Sequence, residues 1–268
     1  MSDGRGHDQP WTIARLLAWT RDYFETAGVD SARLCAELLL ARALGCERIH
    51  LFTRYEQVPT NEQRDVYRAW VRRAAAHEPV AYLLGEKEFF SLKFEVTPDV
   101  LIPRPETEVL VERAIHAARG ANGDITRILD IGAGSGCIPI CVAKHLPDAT
   151  VCASDICENA LAVARRNGER HGVRDRVDWR VGDLFDPWRG VEPFDLIVSN
   201  PPYVGESEAA DLPANVRDYE PHTALFAGPD GLDIIERLVR DAGEFLRPGG
   251  EIMLEVGWKQ APRVRALF

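Results

Sequence analysis

The stretch Arg127-Ile128-Leu129-Asp130-Ile131 runs directly into Gly132-Ala133-Gly134-Ser135-Gly136 and then into Cys137-Ile138-Pro139-Ile140-Cys141-Val142-Ala143. Physically this is a short buried strand, a turn almost without side chains, and a helical pattern. Glycines at a strand-to-helix turn let a ligand approach the backbone closely. Alone the turn is a weak signal, because many nucleotide sites share it, and its G-x-G-x-G spacing is not the dinucleotide fingerprint. The same grammar recurs downstream. Thr150-Val151-Cys152-Ala153-Ser154 ends at Asp155, Val177-Asp178-Trp179-Arg180-Val181-Gly182 ends at Asp183, and Phe194-Asp195-Leu196-Ile197-Val198-Ser199 ends at Asn200-Pro201-Pro202-Tyr203. Open α/β sheets bind ligands at such carboxyl ends, where an acid can accept hydrogen bonds from ribose hydroxyls. Each feature also has a plain explanation as a tight turn, a helix N-cap or a rigid loop. All four in this order make coincidence a poor account.

The Asn200-Pro201-Pro202-Tyr203 segment carries the most chemistry. Its prolines stop the strand and fix φ. They also remove two N–H groups and leave a surface of carbonyl acceptors, to which Asn200 adds its side-chain oxygen. Tyr203 offers a flat face. Two acceptors and a ring suit a planar NH2 group, with the nitrogen lone pair held toward an electrophile.

The order strand–glycine turn, strand–Asp155, strand–Asp183, strand–Asn-Pro-Pro-Tyr resembles the class I S-adenosylmethionine-dependent methyltransferases. Two further segments, Glu78-Pro79-Val80-Ala81-Tyr82-Leu83-Leu84-Gly85 and Ile102-Pro103-Arg104-Pro105-Glu106-Thr107-Glu108, narrow this. With them, residues 12–268 resemble the peptide chain release factor glutamine methyltransferases (the HemK/PrmC family). The resemblance implies an α/β, Rossmann-like methyltransferase sheet and methyl transfer from S-adenosyl-L-methionine to the glutamine amide of the Gly-Gly-Gln loop of release factors. It places the cofactor on Gly132, Ala133, Gly134, Ser135, Gly136, Asp155, Asp183, Leu184 and Asn200. It places catalysis on Asn200, Pro201, Pro202 and Tyr203. Arg104 and Glu106 are expected to stabilise the start of a helix rather than to close over the cofactor. Competing readings are an adenine N6-methyltransferase, a ribosomal-protein glutamine methyltransferase, and a cofactor-binding interaction module without turnover.

Periodicity predicts three helical segments before the hairpin. These are Thr12 to Ala27, Ser31 to Leu44 with Ser31 as cap and a core stripe of Leu34, Leu38 and Leu39, and Asn61 to Ala76 with a Thr60/Gln63 capping box. Residues 1–10 are polar and expected to fray. The expected domains are a helical bundle over 1–85 that docks substrate, a β-hairpin linker over 86–104 with a turn at Ser91-Leu92, and a methyltransferase domain over 105–268. Glu251 to Gly257 is predicted as the fifth strand. The family's sheet would need about two more strands, so the C-terminal strands are expected to be missing and the fifth strand to form an edge.

The net charge is −10. Residues 1–90 hold 12 basic and 13 acidic side chains, and residues 91–268 hold 20 and 29. An acidic catalytic half argues against a broad phosphate-tracking groove, so no direct nucleic-acid partner is expected. The acidic loop Gly205 to Glu220 has two readings, a surface that meets a basic substrate and a solvated face, and the solvated face is preferred. The six cysteines lack metal spacing and read as buried hydrophobes in a reducing compartment. No metal is expected. With no long apolar run or signal peptide, a cytoplasmic monomer that does not meet a membrane is expected.

Overall fold

The computed structural model describes residues 10–120 and 125–268. The expected frayed segment 1–10 therefore lies, but for Pro10, outside the described residues. The chain separates into two compact units, Met1–Leu84 and Gly85–Phe268.

The first unit is helical: α1 (Ile13–Ala27), α2 (Ala32–Leu44), α3 (Arg48–Thr53), α4 (Asn61–Ala75) and α5 (Val80–Leu84). Thr12 caps α1 by accepting from the Arg15 N–H at 3.3 Å. The Thr60/Gln63 capping box is present at the start of α4. Ser31 does not cap α2: it sits at φ 51° in the left-handed region with no side-chain cap bond. Leu34 faces solvent instead of the core, and Leu39 and Leu40 are fully buried with Ile13, Phe24 and Leu51. The helices α3 and α5 were not foreseen, because elements this short give too little periodicity to detect.

The second unit opens with the hairpin β1 (Glu86–Phe89) and β2 (Leu92–Glu95), which turns at Phe90-Ser91, one residue before the predicted turn. Its Phe89 and Phe94 are buried in the core of this unit. Next come α6 (Pro105–Gly120), β3 (Arg127–Ile131), α7 (Cys137–His145), β4 (Thr150–Asp155), α8 (Glu158–Arg170), β5 (Val177–Val181) and β6 (Phe194–Ser199). Beyond them lie α9 (Ala214–Arg217), α10 (His222–Leu225), α11 (Asp233–Ala242), β7 (Leu246–Leu254) and α12 (Ala261–Arg265). Pro105 opens α6, where its missing N–H costs nothing.

The second unit's larger sheet is parallel, in the order β5-β4-β3-β6-β7. The chain steps outward from β3 to β4 and β5, then returns to β6 on the other side. The crevice between β3 and β6 is therefore the switch point where such sheets hold ligands. Register then does the positioning. Ile131 lies opposite Ser154 on β4 and Ser199 on β6, so Gly132, Asp155 and Asn200 emerge abreast. Ser199 also pairs with Leu254, which brings Glu255 out beside Asn200. The strand β7 begins at Leu246, five residues before the predicted strand, and ends at Leu254. It lies at one edge of the sheet and β5 at the other. Buried apolar side chains cover both faces of the central strands, with Ile128 on one side and Leu129 on the other.

Candidate active site

A cavity of about 330 Å³ opens at the carboxyl ends of these strands. Gly132, Ala133, Gly134, Ser135, Asp155, Asp183, Leu184, Asn200, Pro201 and Pro202 all line it. Gly136 lies behind this wall and closes the turn onto α7. Its φ is +81°, and a Cβ there would meet Ala164 Cβ and Ile140 Cδ1 at 3.0 Å. Both its torsion and its packing therefore require glycine.

The turn is held by hydrogen bonds that join it to β4. The Gly132 and Ala133 N–H groups both donate to the Ser154 carbonyl, at 2.8 and 3.0 Å. The Asp155 carboxylate accepts the Gly134 N–H on one oxygen and the Cys157 N–H on the other, each at 2.8 Å. Burial pushes the Asp155 carboxyl above its ordinary range, and those two donors pull it back. Each oxygen keeps lone-pair capacity for a ligand hydroxyl. Asn167 on α8 braces the turn from below, donating to Ser135 O at 2.9 Å and Glu95 O at 3.0 Å while accepting from Glu95 N at 2.7 Å.

Asp130 is fully buried at the end of β3, and neither carboxylate oxygen has a hydrogen-bond partner. Burial, and then the neighbouring Asp155, raise its pKa well above the carboxylate range. A buried acceptor left unpaired is costly, and Asp130 sits behind the cavity wall, next to Ile131, which lines it.

Past β5, Asp183 accepts from Arg237 at 2.5 Å. Leu184 lines the cavity at φ +46°, a left-handed conformation that is strained for a bulky residue. Ile156, exposed and directly after Asp155, adds a second apolar wall.

At the β6 end, Asn200 Nδ2 donates to Thr107 Oγ1 at 3.0 Å, and the Thr107 hydroxyl donates to Glu255 Oε2 at 2.7 Å. Tyr203 does not line the cavity. Its ring packs with Leu232, Ile235 and Val264, while its backbone carbonyl accepts from Gln260 at 2.9 Å. Gly231 approaches so closely that a Cβ there would clash with the Tyr203 carbonyl oxygen.

Arg104 lines the cavity and pairs with Glu220 at 2.5 Å. Glu220 also accepts the Ile102 N–H at 3.2 Å and is almost wholly buried. One expectation is corrected here: Glu220 is not part of a solvated loop face. Arg104 does serve the start of α6, where its carbonyl accepts the Thr107 N–H at 3.1 Å, and its side chain also ties two loops together. Sequence reasoning also missed Thr107, Glu255, Ile156 and Arg237. Glu255 carried a usable signal, since it follows a strand end as the other site residues do. Arg237 carried none.

Among the described residues, no group of three or more His, Cys, Asp or Glu is placed to hold a metal ion. Among the same residues, no helix is long and apolar enough to cross a membrane.

Comparison with known proteins adds independent findings. Residues 15–85 match the PrmC N-terminal domain, and residues 107–215 match the methyltransferase small domain. A release factor glutamine methyltransferase of Rhodopirellula baltica is 47% identical over 93% of this chain and 85% of its own. A protein of the same name from Geobacter sulfurreducens is 46% identical over 96% and 88%. Among solved structures, the catalytic domain of hMettl16, in complex with the MAT2A 3'UTR hairpin 6, shares 16% identity with a TM-score of 0.53 over 72% of this chain and 71% of that one. At that identity it bears on the fold alone.

Proposed function

The chain belongs to the release factor glutamine methyltransferases, and from that premise we propose that it methylates the side-chain amide nitrogen, N5, of the glutamine in the Gly-Gly-Gln loop of peptide chain release factors. The observation that carries the reading is the placement, in one cavity, of the glycine turn and Asp155 abreast of Asn200 and Pro201. The relatives' names favour this reading over adenine N6 or ribosomal-protein methylation.

The enzyme uses S-adenosylmethionine, and the residues present fit it. The glycine turn admits close backbone approach, Asp155 can accept from ribose hydroxyls, and the unpaired Asp130 carboxyl, buried two residues before the turn and behind the cavity wall, suits a cationic group bound nearby. Leu184 and Ile156 offer apolar walls for a flat base. When bound, the cofactor supplies an electrophilic methyl group on a positively charged sulfur.

The chain's own residues have a different task. A primary amide is a poor nucleophile, because its lone pair is delocalised into the carbonyl. Orientation and electrostatics must therefore carry the rate. Asn200 Oδ1 and the Pro201 carbonyl each accept one amide hydrogen, which draws electron density toward nitrogen and disfavours the planar resonance form. Pro202 keeps this wall rigid. Tyr203, packed behind the wall against Leu232, Ile235 and Val264, is assigned to its support. The apolar lining excludes water, which favours a step in which the sulfonium charge is spread between sulfur and nitrogen in the transition state. The methylated nitrogen, which then carries that charge, gives up its surplus proton by way of the carbonyl-lined wall to solvent outside the site.

The helical unit is assigned to docking the protein substrate, and the enzyme to a cytoplasmic monomer without nucleic-acid or membrane partners. Mass spectrometry of a purified release factor, after incubation with this protein and S-adenosylmethionine, tests the reading. One added methyl on the Gly-Gly-Gln glutamine is expected, and its absence with a cofactor-bound enzyme would overturn the substrate assignment. Asn200→Ala should lower kcat on the order of 10²-fold or more while leaving cofactor affinity nearly unchanged.

A further inference from the structure

We propose that Thr107 and Glu255 are positioning residues that set the amide polarity of Asn200, holding its carbonyl oxygen toward the cavity through a one-way hydrogen-bond chain. The proposal rests on the reading in which Asn200 Oδ1 accepts a substrate amide hydrogen. The geometry joins three elements. Asn200 follows β6, Thr107 lies in the first turn of α6, and Glu255 follows β7. The Glu255 N–H donates to Ser199 O at 3.0 Å, which locks the two strand ends together. Thr107 is buried, and both it and Asn200 line the cavity.

The direction of the chain follows from donor counts. An ionised carboxylate only accepts, and a hydroxyl carries one proton. Thr107 gives that proton to Glu255 and is left able only to accept. The Asn200 atom facing it must therefore be the NH2. The two ends of an asparagine amide have nearly the same shape, so packing alone does not choose between them. In the opposite orientation Asn200 would present its NH2 to the substrate NH2, setting donor against donor.

Protonation of Glu255 removes the directionality, because a neutral carboxyl can donate to Thr107, which can then donate to Asn200. The charged and titratable groups facing Glu255 are Arg104 and Glu106 before and within α6, Tyr203 after β6, and Cys137 on α7. Burial, with help from Glu106, raises the Glu255 carboxyl, while Thr107, Arg104 and Asn200 oppose this. The acid limb of kcat should accordingly lie above the ordinary glutamate range.

The test compares Thr107→Val, Thr107→Ser and Glu255→Gln. Steady-state methylation of release factor gives kcat and KM, and isothermal titration gives the S-adenosylmethionine Kd. Thr107→Val should lower kcat about 10–100-fold, the loss of roughly one or two hydrogen bonds' worth of positioning, with Kd and KM within about threefold. Thr107→Ser, which keeps the hydroxyl, should recover kcat to within about threefold. Glu255→Gln should abolish the acid limb. A substrate-free readout runs in parallel on 15N-labelled protein. The Asn200 side-chain amide signals, identified by their loss in Asn200→Asp, should move as Glu255 titrates and stay still in Glu255→Gln. Full kcat in Thr107→Val, no recovery in Thr107→Ser, or amide signals indifferent to Glu255 would overturn the relay. A wild-type enzyme that leaves the glutamine unmethylated would instead overturn the functional reading, and the amide signals would still decide the relay.

Discussion

Asp130 is a single side chain whose burial costs stability. Its buried carboxylate has no partner, and its pKa lies well above the ordinary range. The folded state therefore holds this proton more tightly than the unfolded chain does, so stability falls as pH rises from about 4. Asp130→Asn removes that dependence. Calorimetry without cofactor should show the variant's melting temperature gaining on the wild type as pH increases toward neutrality, while its S-adenosylmethionine affinity is weaker. A parallel pH dependence in both proteins would reject this account. Leu184 is a second residue held against its preference, at φ +46° on the cavity wall. Neither feature was legible in the sequence, where Asp130 read as part of a strand and Leu184 as an ordinary apolar contact.

At the scale of elements, the decisive device is the brace that joins the hairpin, α8 and the glycine turn. Asn167 makes three hydrogen bonds there while wholly buried. Asn167→Leu would leave the Glu95 N–H and two carbonyls without those partners, at a cost on the order of 3 kcal/mol. Urea titration of the variant measures this, and a loss below about 1 kcal/mol would mean that water replaces the side chain. The strands β3, β4 and β6 were legible because each is a short apolar run ended by a polar residue or glycine. Their partners were not, because register depends on which strands meet. The helices α3 and α5 were missed for want of length, and β7 was placed late because the residues that follow its first, Arg247 to Gly250, look like a turn and not like a strand.

At the scale of the whole molecule, charge and ligand linkage set the behaviour. The excess of acidic side chains falls almost entirely after residue 90, so the methyltransferase unit should repel a polyanion. Electrophoretic shift with duplex DNA at physiological salt is expected to show no stable complex, and tight salt-sensitive binding would revive the adenine reading. Saturation with S-adenosylmethionine should raise stability by about 2.7 kcal/mol at a hundredfold excess over Kd. Gly136→Ala, which places a Cβ against Ala164 and Ile140, should lose most of that gain in a thermal shift assay.

The chemistry and the fold class came from the sequence by itself, because both depend on local order. Strand patterns, a glycine turn, two acids and the Asn-Pro-Pro-Tyr segment are contiguous features that any α/β chain must spell out residue by residue. What only the tertiary structure decided was which side chains act together across long separations. Thr107, Asn200 and Glu255 lie far apart in the chain, yet parallel register and the first turn of α6 bring them into one hydrogen-bond chain. Arg104 and Glu220 meet in the same way. A hydrogen bond acts over about 3 Å, and no local pattern reports which distant residues will come within that reach.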